Sequence, residues 1–68
     1  MKLYAVTSSN IAAVGWHDGK LRVEFHNGGV YDYQGVSEAE FKVLKDSDSV
    51  GRYFERNIRN QFPTTKVS

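Results

Sequence analysis

A chain of 68 residues is enough for one domain, whose single core contributes roughly a few kcal/mol of net stability. Nine Lys and Arg against eight Asp and Glu leave a formal charge of +1, which excludes nucleic-acid binding by bulk charge, and the absence of cysteine excludes disulfides and thiolate metal sites. The longest apolar run is far below the roughly 20 residues of a membrane span and the start of the chain lacks an apolar signal segment, so a cytoplasmic protein with no membrane partner is expected.

Taken in order, residues 1–6 alternate weakly, Leu3 with Ala5 and Tyr4 with Val6, and read either as a fourth, edge strand or as an ordered arm. Thr7-Ser8-Ser9-Asn10 is a run of short polar side chains that compete for backbone hydrogen bonds, so it marks a turn. Ile11 to His17 reads as a strand, and Asp18-Gly19 as a two-residue hairpin turn of the kind that needs positive φ at both centres. That turn sets Trp16 opposite Leu21, Val14 opposite Val23 and Ala12 opposite Phe25, which gathers the apolar residues on one face. For the second turn, a loop of Asn27-Gly28-Gly29 sets Tyr31 opposite Phe25 and Tyr33 opposite Val23, whereas a two-residue loop would bury Asp32. The longer loop is therefore expected. Trp16, Val14, Leu21, Val23, Phe25, Tyr31 and Tyr33 then face the core, and Lys20, Arg22, Glu24, His26, Asp32, His17 and Ala13 the other side.

The period changes after Gln34-Gly35. Ser37-Glu38-Ala39-Glu40 is a capping box, in which Ser37 accepts from the amide three residues on and Glu40 reaches back to the Ser37 amide. Val36 is the staple outside this cap, Phe41 and Leu44 form the apolar stripe, and the helix stops near residues 46–48. Ser49 caps a second helix running to about Asn60, with Val50, Phe54 and Ile58 on one stripe, Tyr53 beside it, and Arg52, Arg56 and Arg59 on the far side. Residues 62–68 read as a tail without periodicity. The expected architecture is α+β: a three-stranded antiparallel meander, with residues 3–6 open as a fourth strand, packed on one face by two helices.

From Val6 to Phe62 the sequence resembles the KTSC domain, a short module found at the C-terminus of some lysyl-tRNA synthetases and as a stand-alone bacterial or phage protein. The resemblance is carried by Ser8-Ser9, Ile11, Val14-Gly15-Trp16, Leu21-Arg22-Val23-Glu24-Phe25, Asn27-Gly28, Tyr31-Asp32-Tyr33 and Ser49-Val50-Gly51-Arg52-Tyr53-Phe54 with Ile58-Arg59. Trp16 stands where the family usually has Tyr, and Ser37 where it often has Pro; both Ser and Pro suit a helix start. Through the synthetase fusion, the resemblance implies RNA binding.

For a ligand, Arg52, Arg56 and Arg59 form the best local basic stripe, since guanidinium groups match phosphate oxygens. Ser49 and Gly51 open the same helix, where free amides favour an anion, and Gly51 serves either close approach of a ligand or close packing against the sheet. Ser8 and Ser9 add hydroxyls, and Tyr31 and Tyr33 are expected inside the core with only their hydroxyls at the rim. His17 and His26 lie by turns with no ligand partners at metal spacing, and no Gly-x-Ser-x-Gly or comparable nucleophile setting exists. The expectation is a non-enzymatic module without metal or cofactor that binds RNA or another phosphate-bearing ligand. The alternatives are a protein-binding or self-associating module, or a phage-type protein that sequesters a small nucleotide.

Overall fold

The alternation between Ile11 and Tyr33 folds into three antiparallel strands, and the two ends of the chain each add another. The computed structural model describes residues 1–68. Strands β1 (Leu3–Ala5), β2 (Ile11–His17), β3 (Lys20–Phe25) and β4 (Val30–Gln34) are followed by helices α1 (Glu38–Asp46) and α2 (Val50–Asn57) and by β5 (Thr64–Lys66). All five strands form one antiparallel sheet in chain order. Residues 3–6 are thus a strand over most of their length. The tail expectation for residues 62–68 gives way to β5, which pairs Tyr33 with Thr64 and Tyr31 with Lys66. Its residues are exposed and carry no apolar alternation, so backbone pairing rather than burial holds it: Gln34 N–H donates to the Pro63 carbonyl at 2.9 Å and Val67 N–H to the Val30 carbonyl at 2.7 Å. No helix is long and apolar enough to cross a membrane.

The first hairpin has the expected turn and register. Asp18 and Gly19 sit at φ 52° and 81°, and Trp16 pairs with Leu21 and Val14 with Val23. Beyond Ala13 the register shifts, so that Ile11 and not Ala12 faces Phe25. A bulge there leaves Ala12 as the extra residue and lets the large Ile11 side chain enter the core. The second hairpin also corrects the expected pairing, because Tyr31 lies opposite Val23 and Tyr33 opposite Leu21. The loop is His26-Asn27-Gly28: Gly28 takes the left-handed conformation (φ 94°) and donates to the Phe25 carbonyl, while Phe25 N–H donates to the Gly29 carbonyl. A two-residue shift keeps every side chain on its face, so both tyrosines still point inward.

The inner face carries Val14, Leu21 and Val23, all fully buried, against Leu44 of α1 and Ile58 just past α2, also fully buried. Val36 is buried as the staple, and its carbonyl accepts from the Trp16 indole at 2.7 Å. The Gly19 carbonyl accepts from the amides of Gly35 and Val36, which ties the β4–α1 connection to the first hairpin turn. Ser37 caps α1 through the Glu40 amide at 3.0 Å. The other half of the expected capping box is replaced: the Glu40 carboxylate accepts from the Tyr53 hydroxyl, because a tertiary donor on α2 is in reach. That bond pushes the Tyr53 hydroxyl pKa up and links the two helices. Ser49 caps α2, which ends at Asn57 rather than near Asn60: the Arg59 amide donates five residues back to the Phe54 carbonyl instead of continuing the ladder, and Asn60 then adopts positive φ (63°).

On the outer face Asp32 is 4% exposed, and Arg22 directly opposite donates to both of its oxygens at 2.8 and 2.9 Å. These bonds hold the Asp32 carboxyl below the usual carboxylate range, against the opposing effect of burial. Gly15 is buried under the start of the chain: a Cβ there would stand 2.4 Å from the Lys2 carbonyl oxygen and 2.8 Å from a Leu3 methyl carbon.

Two outcomes follow. Because the folded Asp32 pKa lies below the unfolded value of about 3.9, its stabilising effect is complete above that value and is lost as pH falls through the folded one. Thermal melts of the wild type should therefore weaken in acid, and Asp32→Asn should lower the neutral melting point while flattening that part of the pH profile; an unchanged profile would contradict the pairing. Gly15→Ala should displace β1, so that hydrogen exchange at residues 3–5 loses its protection while the amides that pair β2 with β3 and β3 with β4 keep theirs.

Candidate functional site

The polar loop at residues 7–10 is built to hold a fixed shape. The Ser8 hydroxyl oxygen accepts from the amides of Asn10 and Ile11 at 3.2 and 3.1 Å, closing the turn on itself. The second hairpin loop then grips it, since His26 N–H donates to the Asn10 carbonyl and the His26 ring nitrogen Nε2 lies 2.9 Å from the Ser8 carbonyl oxygen. His26, expected as a free turn residue, is exposed but takes part in this clamp. On the other side stands the start of α2. A Cβ at Gly51 would come within 3.1 Å of the Ser8 hydroxyl oxygen, so the glycine admits close packing of the helix on this loop. It is the loop, and not the strand surface, that fills the space.

Six of the seven residues proposed from sequence meet around this junction. Ser8, Ser9, Ser49, Gly51, Arg52 and Arg56 line one depression of about 450 Å³ that has no apolar wall. Its donors are aimed by local structure: Ser49 Oγ accepts from the Arg52 amide at 3.3 Å, which leaves its hydroxyl hydrogen, like that of Ser8, to donate elsewhere. Arg52 and Arg56 are exposed and form no ion pair, whereas Arg59 is engaged by Glu55 one turn back at 3.0 Å. Asp48 and Glu55 share the rim, so any anion held here is recognised by individual donors.

Arg59 lies in the neighbouring cleft, of about 670 Å³, together with Tyr31 and Tyr33. Tyr31, Phe25, Phe54 and Tyr33 meet edge to face in that order along its wall, with successive ring centroids 5.8, 5.7 and 5.4 Å apart. Tyr33 is buried and Tyr31 only half so. Burial is the main cause raising the Tyr33 hydroxyl pKa, with Tyr31 and Glu55 adding to it and Arg59 opposing, so the phenol stays a neutral donor at physiological pH. Sequence reasoning missed the amides of Asn10, Asn27 and Asn60 on this cleft. Asn60 carried one signal, being an Asn in the stretch where the second helix had to end.

A model of the KTSC domain matches residues 7–62 of the chain. An uncharacterized protein of Stutzerimonas stutzeri (strain A1501) is 33% identical over 63 residues, which span 90% of this chain and 89% of that protein. The crystal structure of the KTSC domain protein YPO2434 from Yersinia pestis has the same fold, with a TM-score of 0.91 at 30% identity, covering 98% of this chain and 97% of the other.

The close approach of Gly51 to Ser8 gives a measurable coupling. Alanine at position 51 gains up to about 1 kcal/mol of helix propensity, but in the wild type its Cβ meets the Ser8 hydroxyl. In a double-mutant cycle followed by urea unfolding, Gly51→Ala should stabilise the Ser8→Ala background by about 1 kcal/mol and the wild type by clearly less. Additive effects would show that the two residues do not press on each other.

Proposed function

This chain belongs to the KTSC domain family, and from that premise we propose that it is a small non-catalytic binding module for RNA or another phosphate-bearing ligand. The observation that carries the reading is the depression at the loop–helix junction, where two unpaired guanidinium groups and several hydroxyls surround a space without apolar walls. Its volume of about 450 Å³ is in the range of ligand clefts, roughly 300–1,000 Å³. Guanidinium and hydroxyl donors together suit a phosphate better than a carboxamide or an apolar group. The non-catalytic part of the reading rests on the serines. His26 meets the Ser8 carbonyl oxygen and not its hydroxyl, so its ring is not placed to activate that hydroxyl as a nucleophile.

Protein association or self-association is the second reading, favoured by the free edges of β1 and β5 and by the exposed side chains of Leu3, Tyr4 and Val43. Both edge strands are only three residues long, and short edges are a common means of discouraging sheet-to-sheet pairing. It therefore ranks behind ligand binding.

Replacing Arg52, Arg56 and Arg59 together by Glu should abolish binding of labelled single-stranded RNA and of pyrophosphate, read by fluorescence anisotropy and calorimetry. For the wild type, phosphate contacts from the two unpaired groups, Arg52 and Arg56, would give a slope of about −1.4 for log affinity against log salt on single-stranded RNA. Equal affinity of wild type and triple variant, or binding indifferent to salt, would remove the phosphate reading.

A further inference from the structure

We propose, resting on the phosphate-binding reading above, that the aromatic cleft is the base-binding half of the same site, so that a nucleotide lies with its base against Tyr31 and its phosphate at Arg52 and Arg56. The two depressions lie side by side. They adjoin in that Ser9, Asn10 and Glu55 line both, so the guanidinium pair and the rings border neighbouring hollows that one ligand can occupy together. The walls differ in chemistry as the two ends of a nucleotide do: one has no apolar residue, the other is faced by Phe25, Tyr31, Tyr33 and Phe54.

Tyr31 is the ring placed to receive a base. Phe54 and Tyr33 are buried in the core, whereas Tyr31 and Phe25 are only partly buried at the cleft, and of these two Tyr31 is the one that stands beside a glycine, Gly29. Phe25 packs against the Tyr31 ring edge to face, and the edge of that ring lies 3.2 Å from where a Cβ on Gly29 would stand. The missing side chain at Gly29 is what lets the ring lie there.

The rim then supplies what a base edge needs. Amide side chains donate and accept at once, which matches the mixed pattern of a nucleobase, and Asn10, Asn27 and Asn60 all border the cleft. Asn27 Oδ1 is already bonded to the Gly29 amide at 2.9 Å, which fixes the side chain and turns its NH₂ group outward as a donor. Asn60 is held in place by its left-handed backbone just past α2. An aliphatic phosphate ester would leave these groups and the ring face unused.

The test compares ribose 5-phosphate, AMP, UMP and a short single-stranded RNA by calorimetry on the intact chain. The nucleotides should bind at least about tenfold more tightly than ribose 5-phosphate, the gain expected of one base stacked on one aromatic ring. Tyr31→Leu, which keeps apolar bulk against Phe25, should erase that advantage and leave ribose 5-phosphate binding as it was. In the wild type, amide resonances of Asn27, Tyr31 and Asn60 should move with AMP and stay still with ribose 5-phosphate, a readout that needs no variant. Where AMP binds more tightly than ribose 5-phosphate, the base subsite is supported, and RNA binding more tightly than AMP then assigns the base to a polymer, equal binding to a free nucleotide. Equal affinity for AMP and ribose 5-phosphate would overturn the base subsite and leave the phosphate reading standing. If pyrophosphate, ribose 5-phosphate, nucleotides and RNA all fail to bind, both are overturned.

Discussion

A sheet covered by helices on one side only must satisfy its two faces by different means, and this asymmetry governs the rest of the molecule. The inner face is apolar and buries Val14, Leu21 and Val23 against Leu44 and Ile58. Helices of nine and eight residues are too short to be stable alone in water, so α1 and α2 owe their existence to that face as much as the sheet owes its cover to them. The outer face has no second layer. It is closed by the forked Arg22–Asp32 pair and by the N-terminal segment lying over Gly15.

The same economy places the candidate site. Short helices cannot span the sheet, and the space left at one end is bordered by the 7–10 loop, the second hairpin loop and the turn after α2. Each of these is held by its own backbone and side-chain bonds: Ser8 to the amides that follow it, His26 to Ser8 and Asn10, and the Gln61 amide to the Ile58 carbonyl. The loop groups around the two depressions are therefore set by the fold, whereas the Arg52 and Arg56 side chains are exposed and unpaired.

Much of this was legible in the residues. Strict alternation from Leu21 to Phe25, the Asp18-Gly19 turn and the Ser37 and Ser49 caps each report local backbone preferences, and each appears where expected. What escaped was decided by partners distant in sequence. The bulge at Ala12 answers the core's need for Ile11, Glu40 abandons the Ser37 amide for the Tyr53 hydroxyl, and β5 forms because β4 offers a free edge to residues whose own pattern is mute. The shift in the second hairpin was invisible because Gly28 and Gly29 both allow a loop there; only the loop geometry chooses Gly28 for the left-handed position. At the site, the serines and two of the arginines converge as expected, while the asparagine rim depended on loops whose mutual approach no local pattern encodes.

The indole of Trp16 donates to the carbonyl of Val36, where the last central strand turns into the helical layer. It is the one tryptophan of the chain, and it accompanies four tyrosines in a body only 25 × 25 × 23 Å across. A single indole thus sits on the seam between the two layers, in the same small body as all four phenols. Its emission colour reports whether the seam is shut, and light absorbed by the phenols and re-emitted by the indole gauges how compact the whole body remains, so this domain carries its own optical gauge without any added label.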